Sequence, residues 1–519
     1  MSCFGGTFGG GCGAGFSSNA AGVTSGGTLC QLIALGAADT HLTACPTVTF
    51  WRLRIQKCTN FAMESIMQTY TGTVAWGSEV QITLNRTGDL VYWMYVILDI
   101  PAIRAIKQCS SGSGRDRERF GGFGFGGFPF AQVCDACDDG RAPNRCNSEF
   151  SSECSDNCSD SCSDDGSCSS DRDRDHSSSE GHSCCGSERD ETLGLRRPFC
   201  NWVDSIGFAA IHRAAFSIGG QVIDTVYSHF MHMWEELSGQ PGKRLEEMIG
   251  HTPFPNRAAL VEMSKHNRRL YVPLPFYFTR NSGNTLPLVS LQFHALQVHI
   301  HFAPLGKLIQ VSDCDTLVVK CCDGQPIGQN DMRSYLDTTY VYLDQEERDR
   351  FAVGSFQQLI TQLQHYSVAG NTAEQIVAQL NFNHPTLELI WAVQRQCQAV
   401  ANNTFNYSGA WGRDPIRRAK LLINNLCRFE REAEYFRMVQ PYQCHTNIPH
   451  GFIYVYSFAL FPEDCQPSGS LNFSRIDNVE FSVCLQEAIA ATAVNLLVFG
   501  RNWNILRFKE GLGGLLYSN

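Results

Sequence analysis

The sequence predicts an all-β protein built from antiparallel sandwiches, and three observations carry that expectation. Aromatic side chains are plentiful, with 33 Phe, 16 Tyr and 8 Trp, and such side chains suit a pleated, half-buried surface. Short apolar or alternating runs recur between Gly, Pro and Asn turn signals. Helical spacing is confined to a few short stretches, as in architectures where helices sit only in the connections. At 519 residues, with 43% of them hydrophobic, the chain is too long for one ordinary domain and suits two or three.

Residues 1–27 are low-complexity Gly, Ser and Phe (CFGGTFGGGCGAGF), which cannot bury enough surface to order themselves. Residues 28–44 read as an arm that orders only against a partner. From Pro46 to Pro101 the pattern is strand-like. Thr47–Arg54 alternates in part. Leu90–Leu98 (LVYWMYVIL) is a continuous apolar run between Gly88-Asp89 and Pro101, which predicts a buried strand. Composition then changes abruptly: residues 108–192 are first Gly/Phe-rich, then a Ser/Asp/Cys tract, an insertion unable to form an ordinary core.

Val289–Phe302 has period two in both halves, with the phase flipping at Ala295–Leu296. This predicts one half-buried strand with a β-bulge at the flip. Helical spacing appears at Arg257–Lys265, Glu346–Leu363 and Arg428–Met438. Strands are expected at Leu387–Val393, Phe452–Phe461, Asn478–Cys484 and Val494–Val498. A faint internal echo links two stretches. Ala215-Phe-Ser-Ile-Gly-Gly-Gln leads through a helical stretch to Val272-Pro-Leu-Pro-Phe, and Leu421-Leu-Ile-Asn-Asn-Leu leads through another to Tyr454–Leu460. A duplicated sandwich would produce it.

The formal net charge is −10. Between Cys134 and Glu191 there are 16 acidic residues and 5 Arg, while the remainder holds 35 acids and 36 bases. One segment carries the acidity, and there is no basic stripe of the kind direct nucleic-acid binding requires. The longest apolar runs reach about half the ~20 residues of a transmembrane helix. The Gly-rich N-terminus lacks the order of a secretory signal, so synthesis in the cytosol is expected, with the scattered cysteines most often buried thiols.

The sharpest local feature is the tract Cys134–Cys185, with 9 of the 24 cysteines. Cys134 and Cys137 have metal-ligand spacing, followed by Cys154, Cys158, Cys162 and Cys168. No paired CxxC motif completes a zinc site, and neighbouring Asp residues disfavour thiolates. A surface loop that oxidises to disulfides is the reading preferred over an ordered zinc site. Its charge would keep like particles apart. His299 and His301 share one strand face without a visible third ligand, which suits a polar outer face. His229, His232 and Trp234 suit packing rather than catalysis. Gly122-Phe-Gly-Phe-Gly-Gly satisfies a dinucleotide-binding pattern formally but has Phe where a phosphate needs small residues. Sequons stand at Asn85, Asn157, Asn402, Asn406 and Asn472, the last reading as structural. No catalytic, cofactor-binding or metal-ligating residue is assigned.

Several collinear segments resemble the major capsid proteins of nucleocytoplasmic large DNA viruses, of the algal and amoebal type. They include Gly27-Thr-Leu-Cys-Gln-Leu-Ile-Ala-Leu-Gly, Pro46-Thr-Val-Thr-Phe-Trp, Ile218-Gly-Gly-Gln-Val-Ile-Asp and Arg269-Leu-Tyr-Val-Pro-Leu-Pro-Phe. Leu286-Pro-Leu-Val-Ser-Leu-Gln-Phe-His, Tyr340-Val-Tyr-Leu-Asp-Gln-Glu-Glu-Arg, Pro467-Ser-Gly-Ser-Leu-Asn-Phe-Ser-Arg and Gly511-Leu-Gly-Gly-Leu-Leu-Tyr-Ser-Asn continue the series. The resemblance implies two consecutive eight-stranded antiparallel jelly rolls with short helices in loops. The implied divisions are a Gly-rich extension and arm over 1–44, a first roll over 45–345 and a second over 346–519. It also implies homotrimeric, pseudo-hexagonal capsomers tiling an icosahedral shell. The insertion 108–192 would lie on the particle exterior, between the fourth and fifth lettered strands of the first roll. The arm would lie on the inner face, against minor capsid proteins or above an internal viral membrane. The rival readings are a lectin-like jelly roll, which needs a cluster of aromatics and acids on loops, and a cupin-like enzyme, which needs a His-rich metal motif.

Overall fold

The computed structural model describes Gly36, Asp39 and residues 57–107, 199–243, 245–252, 257–311, 317–321, 326–486 and 492–517. The expected strand Thr47–Arg54, the insertion 108–192 with its cysteines, the Gly122 motif, Asn157 and the arm apart from Gly36 and Asp39 lie outside these residues. The chain divides into Met1–Asn60 and Phe61–Asn519. In the former, Gly36 and Asp39 close a turn, with the Asp39 carboxylate accepting from the Gly36 N–H at 2.8 Å.

Within Phe61–Asn519, eight strands come first: β1 (Phe61–Gln68), β2 (Glu79–Thr83), β3 (Leu90–Ile100), β4 (Ile211–Ile218), β5 (Gln221–Tyr227), β6 (Arg268–Pro273), β7 (Leu296–Phe302) and β8 (Arg333–Leu343). They form two antiparallel sheets with orders β1-β8-β3-β6 and β2-β7-β4-β5. The next eight are β9 (Phe356–Asn371), β10 (Gln375–Gln379), β11 (Pro385–Arg395), β12 (Ile416–Ile423), β13 (Leu426–Glu432), β14 (Tyr454–Ser457), β15 (Val479–Leu485) and β16 (Val494–Lys509). Their orders, β9-β16-β11-β14 and β10-β15-β12-β13, repeat the first pair strand for strand. Each pair of sheets is a jelly roll, with most neighbours in the sheet distant in sequence. Short strands extend the paths: Leu286–Pro287 pairs with β3, Leu471–Asn472 with β11 and Leu512–Leu515 with β16. A count of eight per roll therefore covers the main paths but not the whole sheets.

Alternation along the strands builds the cores. In the second roll Ile376, Leu389, Trp391, Val393, Leu421, Phe481, Leu496 and Val498 pack together. In the first, Val91, Met94, Val96 and Leu98 of β3 meet Phe216 and Ile218 of β4 and Val298 and Ile300 of β7. That first core continues into Ile390, Ala392, Val455, Leu497 and Phe499 of the second roll.

The internal echo has a structural counterpart. β4–β5 turns through Gly219-Gly220 and β12–β13 through Asn424-Asn425, and all four residues have positive φ (56°, 85°, 48° and 64°). This is the backbone that two-residue hairpins require and that Gly and Asn adopt most readily. Both hairpins also shift register two residues before the turn, at Phe216/Ser217 and at Leu421/Leu422.

Five expectations need correction. Val289–Ala295 is a run of turns rather than the first half of a strand. Its carbonyls are satisfied by the Arg86 guanidinium, which donates to Leu288 O, Leu291 O and His294 O at 3.3, 2.5 and 2.6 Å. The phase flip at Ala295–Leu296 is the start of β7, and the irregularity lies at His301/Phe302. Glu346–Leu363 is helical only in α3 (Gln345–Val353, the third of the longer helices after Ser228–Ser238, α1, and Arg257–Ser264, α2). The Gly354 N–H closes α3 on Arg350 O, and β9 follows because it pairs with β16 over 14 registered positions. Arg428–Glu432 belongs to edge strand β13, whose Glu430 faces Arg418 at 3.1 Å, and helix begins only at residue 433. Phe452–Phe461 keeps strand geometry only over β14, while the strand expected at Val494–Val498 runs on to Lys509.

Candidate assembly interface

The most extensive built surface is where the first roll meets the outer face of the β9-β16-β11-β14 sheet. The sheet registers Glu388 beside Arg501, Ile390 beside Phe499 and Ala392 beside Leu497. β11 reads PTLELIWAVQR and is buried from Thr386 through Gln394, because Leu389, Trp391 and Val393 face its own core while Ile390 and Ala392 face the other way. A sheet covered on both sides reads as a continuous apolar run for this reason.

The cover is α1, which follows β5. Phe230 lies 5.7 Å from the Phe499 ring, and Trp234 carries two guanidiniums, Arg280 at 4.5 Å and Arg501 at 4.0 Å from its ring. Cation–π contacts in a dry setting are worth about 2 kcal/mol. His229 is 3.0 Å from the Tyr407 hydroxyl and His232 stacks on Phe405 at 4.3 Å. Burial pushes the pKa of these imidazoles down, to about 4 and about 3, so both sit neutral in the seam. Polar bonds complete it. Leu363 N–H donates to Asp224 at 3.1 Å, Asn447 N–H to Leu237 O at 2.9 Å, and Gln362 to Ile223 O. Burial raises the Asp224 pKa to about 6.

Beneath the seam lies an ionic tetrad. Glu388 takes Arg501 at 2.6 Å and His445 at 2.9 Å, and His445 reaches Glu463 at 2.8 Å. Glu388, His445 and Arg501 side chains are essentially inaccessible. Burial alone would lower the His445 pKa, but Glu388 and Glu463 outweigh it and raise it to about 9. Burial alone would raise that of Glu388, but His445 and Arg501 pull it down to about 2. Two cations and two anions leave the cluster neutral, which makes burial of the charges tolerable. The only sequence signal for it was Glu388 inside an apolar strand, since a lone charge there demands a partner.

Among the described residues, the counterpart sheet, β1-β8-β3-β6, is covered on one side only. Its outer rows register Met67, Asp337, Tyr95 and Pro273, and then Tyr335, Ile97 and Tyr271. Phe61, Met63, Met67, Trp93 and Tyr271 are exposed, Met67 by 61% and Trp93 by 40%. The expected buried strand Leu90–Leu98 is buried on its inner face, while Trp93 is exposed among the described residues. On this face Arg269 grips Asp99 through two bonds of 2.6 and 2.9 Å in the open.

The remaining expected residues fall elsewhere. His299 and His301 lie half-buried on β7, beside the Ser217 hydroxyl at 3.3 Å and the His212 ring at 5.3 Å. Among the described residues no three His, Cys, Asp or Glu side chains converge as a metal site requires. Among the described free thiols Cys200 and Cys484 are buried, Cys397, Cys444 and Cys465 are partly buried, and Cys58 and Cys427 are exposed. Asn85 is exposed. Asn402 spends its amide on Ile309 O at 2.7 Å, Asn406 takes Ser408 N–H at 2.9 Å, and Asn472 caps a 3-10 turn through Ser474 N–H at 3.0 Å.

Residues 49–116 and 184–344 match the family profile described as "Major capsid protein N-terminus", and residues 347–514 match "Large eukaryotic DNA virus major capsid protein". The chain is 29% identical to the major capsid protein of Pyramimonas orientalis virus and 28% identical to that of Phaeocystis pouchetii virus. Each alignment covers 95% of this chain and 100% of the relative. The fold superposes on a chain of the PBCV-1 virus capsid with a TM-score of 0.63 at 22% identity, over 91% of this chain and 100% of that one. The Faustovirus major capsid protein gives 0.61 at 10% identity, over 92% and 94%. The architecture is thus that of double jelly-roll capsid proteins. The chain belongs to the major capsid proteins of large eukaryotic DNA viruses, and its role is that of a structural component of the virus shell.

Proposed function

We propose that three copies of the chain form a pseudo-hexagonal capsomer that tiles an icosahedral shell, and that the chain's contribution is geometric, with no catalytic step of its own. The observation that carries this is the duplication itself. Two rolls of identical strand order sit side by side through a contact that joins one surface of the first to a different surface of the second. Such a contact propagates head to tail and closes into a ring if the rotation permits, here with six rolls from three chains. In this reading the divisions are an arm over 1–44, a first roll over 45–345 and a second over 346–519. Residues 108–192 decorate the exterior, and the arm meets minor capsid proteins on the inner face, above an internal membrane. Synthesis takes place in the host cytoplasm and the product resides in the virion. No observation favours the carbohydrate-binding or cupin-like alternatives.

Light scattering on the purified full chain tests the reading. The expected mass is three times the 57.7 kDa of one chain, with a hexagonal outline in negative-stain images. A well-folded monomer at micromolar concentration overturns it. Removing residues 1–44 is expected to leave the trimer intact and to block shell assembly, and loss of trimers would count against the placement of the arm.

A further inference from the structure

Three attachments hold the second roll on the first, and they differ in kind. One is the seam under α1, where Phe230 meets Phe499 of β16. Another is the covalent joint Gly354-Ser355. It leaves α3 where Arg348 grips Asp89 through two bonds of 2.9 Å and Ser290 donates to Phe351 O at 2.6 Å. The third is the hairpin that ends β16. Glu510 and Gly511, both at positive φ (55° and 78°), turn the chain so that Leu512–Leu515 runs back along β16. The joint and the hairpin lie on opposite sides of that strand: Phe508 registers with Phe356 of β9 on one side and with Gly513 on the other.

The hairpin meets the first roll through its backbone. The Phe293 N–H donates to Gly511 O at 3.1 Å. His294 Nδ1 lies 2.9 Å from Gly513 O and 3.3 Å from Gly513 N, so one of the two bonds is made whether that nitrogen donates or accepts. Two glycines allow this approach. A Cβ on Gly513 would press into the fully buried Leu291 side chain, and one on Gly511 would meet the Phe293 ring at 2.6 Å. Gly514 is different, because its nearest neighbour would be the Gln221 side chain at an ordinary 3.5 Å. The receiving turns are themselves held by Arg86, through Leu291 O and His294 O, so the hairpin docks on a preset surface.

We infer that the Glu510–Leu515 hairpin is a latch that fixes the angle between the two rolls. Two attachments define an axis about which one body rocks on another, and a third off that axis stops the motion. The seam and the joint supply the axis, and the hairpin, across β16 from the joint, is the third point. With the latch released each roll keeps its sheets, and the pair becomes a hinge. The latch belongs to a single chain and does not depend on the trimer. Its consequence for assembly is that rolls joined head to tail close into a ring only at one rotation per step.

Single-molecule energy transfer on the full-length chain tests it, with dyes on non-natural residues at Gln81 and Val377, which are exposed on the two rolls. Labelled chain is diluted into unlabelled chain so that only distances within one chain are read. Wild type is expected to give one narrow distance distribution. Gly513→Val and His294→Ala are expected to broaden it, and to speed amide exchange in residues 289–295 and 511–516 by about tenfold. Gly514→Ala is expected to match wild type. Thermal unfolding checks that each variant folds, and if Gly513→Val does not, His294→Ala against Gly514→Ala decides the matter. Faster exchange with an unchanged distance distribution overturns the latch, and so does a broad distribution in wild type. A Gly514→Ala chain as loose as the His294→Ala chain also overturns it, because the fit at Gly513 and His294 would then not be what holds the angle.

Discussion

The two rolls share strand order, hairpin turns and even the position of a bulge, yet their corresponding sheets live in different surroundings. The β9-β16-β11-β14 sheet is dry on both faces, roofed by α1 and underlain by its own core. The β1-β8-β3-β6 sheet has a dry inner face and an outer face of Met, Trp and Tyr open to water. The ion pairs follow suit: Glu388–Arg501 is buried and neutralised by a second pair, whereas Asp99–Arg269 sits in the open. β3 has ten hydrophobic residues of eleven against six in β11, yet among the described residues its outer face is the less covered, an exposed apolar surface of the kind found at interaction sites.

The sharpest way to break the comparison is to strike its buried pair. Arg501→Met leaves Glu388 facing His445 alone and is expected to destabilise the chain by about 3–5 kcal/mol, read as a lowered denaturant midpoint at unchanged slope. The pH dependence of the same cluster comes next. The His445 pKa is held at about 9 against an ordinary 6.5, so its contribution is full below pH 6.5 and lost as pH rises through 9. This is of the order of 3 kcal/mol. Glu388 behaves oppositely. With its pKa at about 2 against 4.5, its contribution is full above pH 4.5 and lost as pH falls through 2. Urea midpoints of wild type should decline between pH 6.5 and 9, and those of His445→Gln should stay flat. An unchanged slope in the variant would remove the cluster from the account.

A smaller effect compares the hairpins. Gly220→Ala forces a Cβ into positive φ (85°), and Asn425→Ala removes the side-chain amide that lets Asn adopt φ 64°; each is expected to cost about 1 kcal/mol, and unequal losses would show that the two turns are not equivalent. The smallest belongs to Arg269→Ala, worth less than about 1 kcal/mol in the dissociated chain because both charges are solvated. If the same change costs markedly more in the trimer, the outer face of β3 is covered there.

What could be read from the residues alone was the local chemistry. The segments holding Gly219-Gly220 and Asn424-Asn425 carried the faint internal echo of a duplicated sandwich, and the run Leu90–Leu98 predicted a strand. Long-range substitutions were not legible. Nothing near Val289–Ala295 reveals that Arg86, about two hundred residues earlier, would satisfy its carbonyls. The stretch Phe356–Leu363 looks helical until β16, nearly 150 residues later, supplies its partner. The tetrad is drawn from four separate segments, and only Glu388 betrays it. The apolar character of β3 was legible, but not the exposure of its outer face, because alternation alone does not tell which elements pack on a sheet.

The ends of the 108–192 excursion are held in a way that has a practical consequence. Ile103–Lys107 pairs with Leu317–Cys321, and Cys200–Trp202 pairs with Ile309–Val311. A single connection, from Ile309 to Cys321, thus clamps the chain both where it departs and where it returns. The two clips grip the backbone outside the interval, so exchanging 108–183 for another sequence is expected to leave both sandwiches folded. A foreign domain spliced between Lys107 and Cys200 would inherit a ready-made mount, repeated once for every copy in the particle.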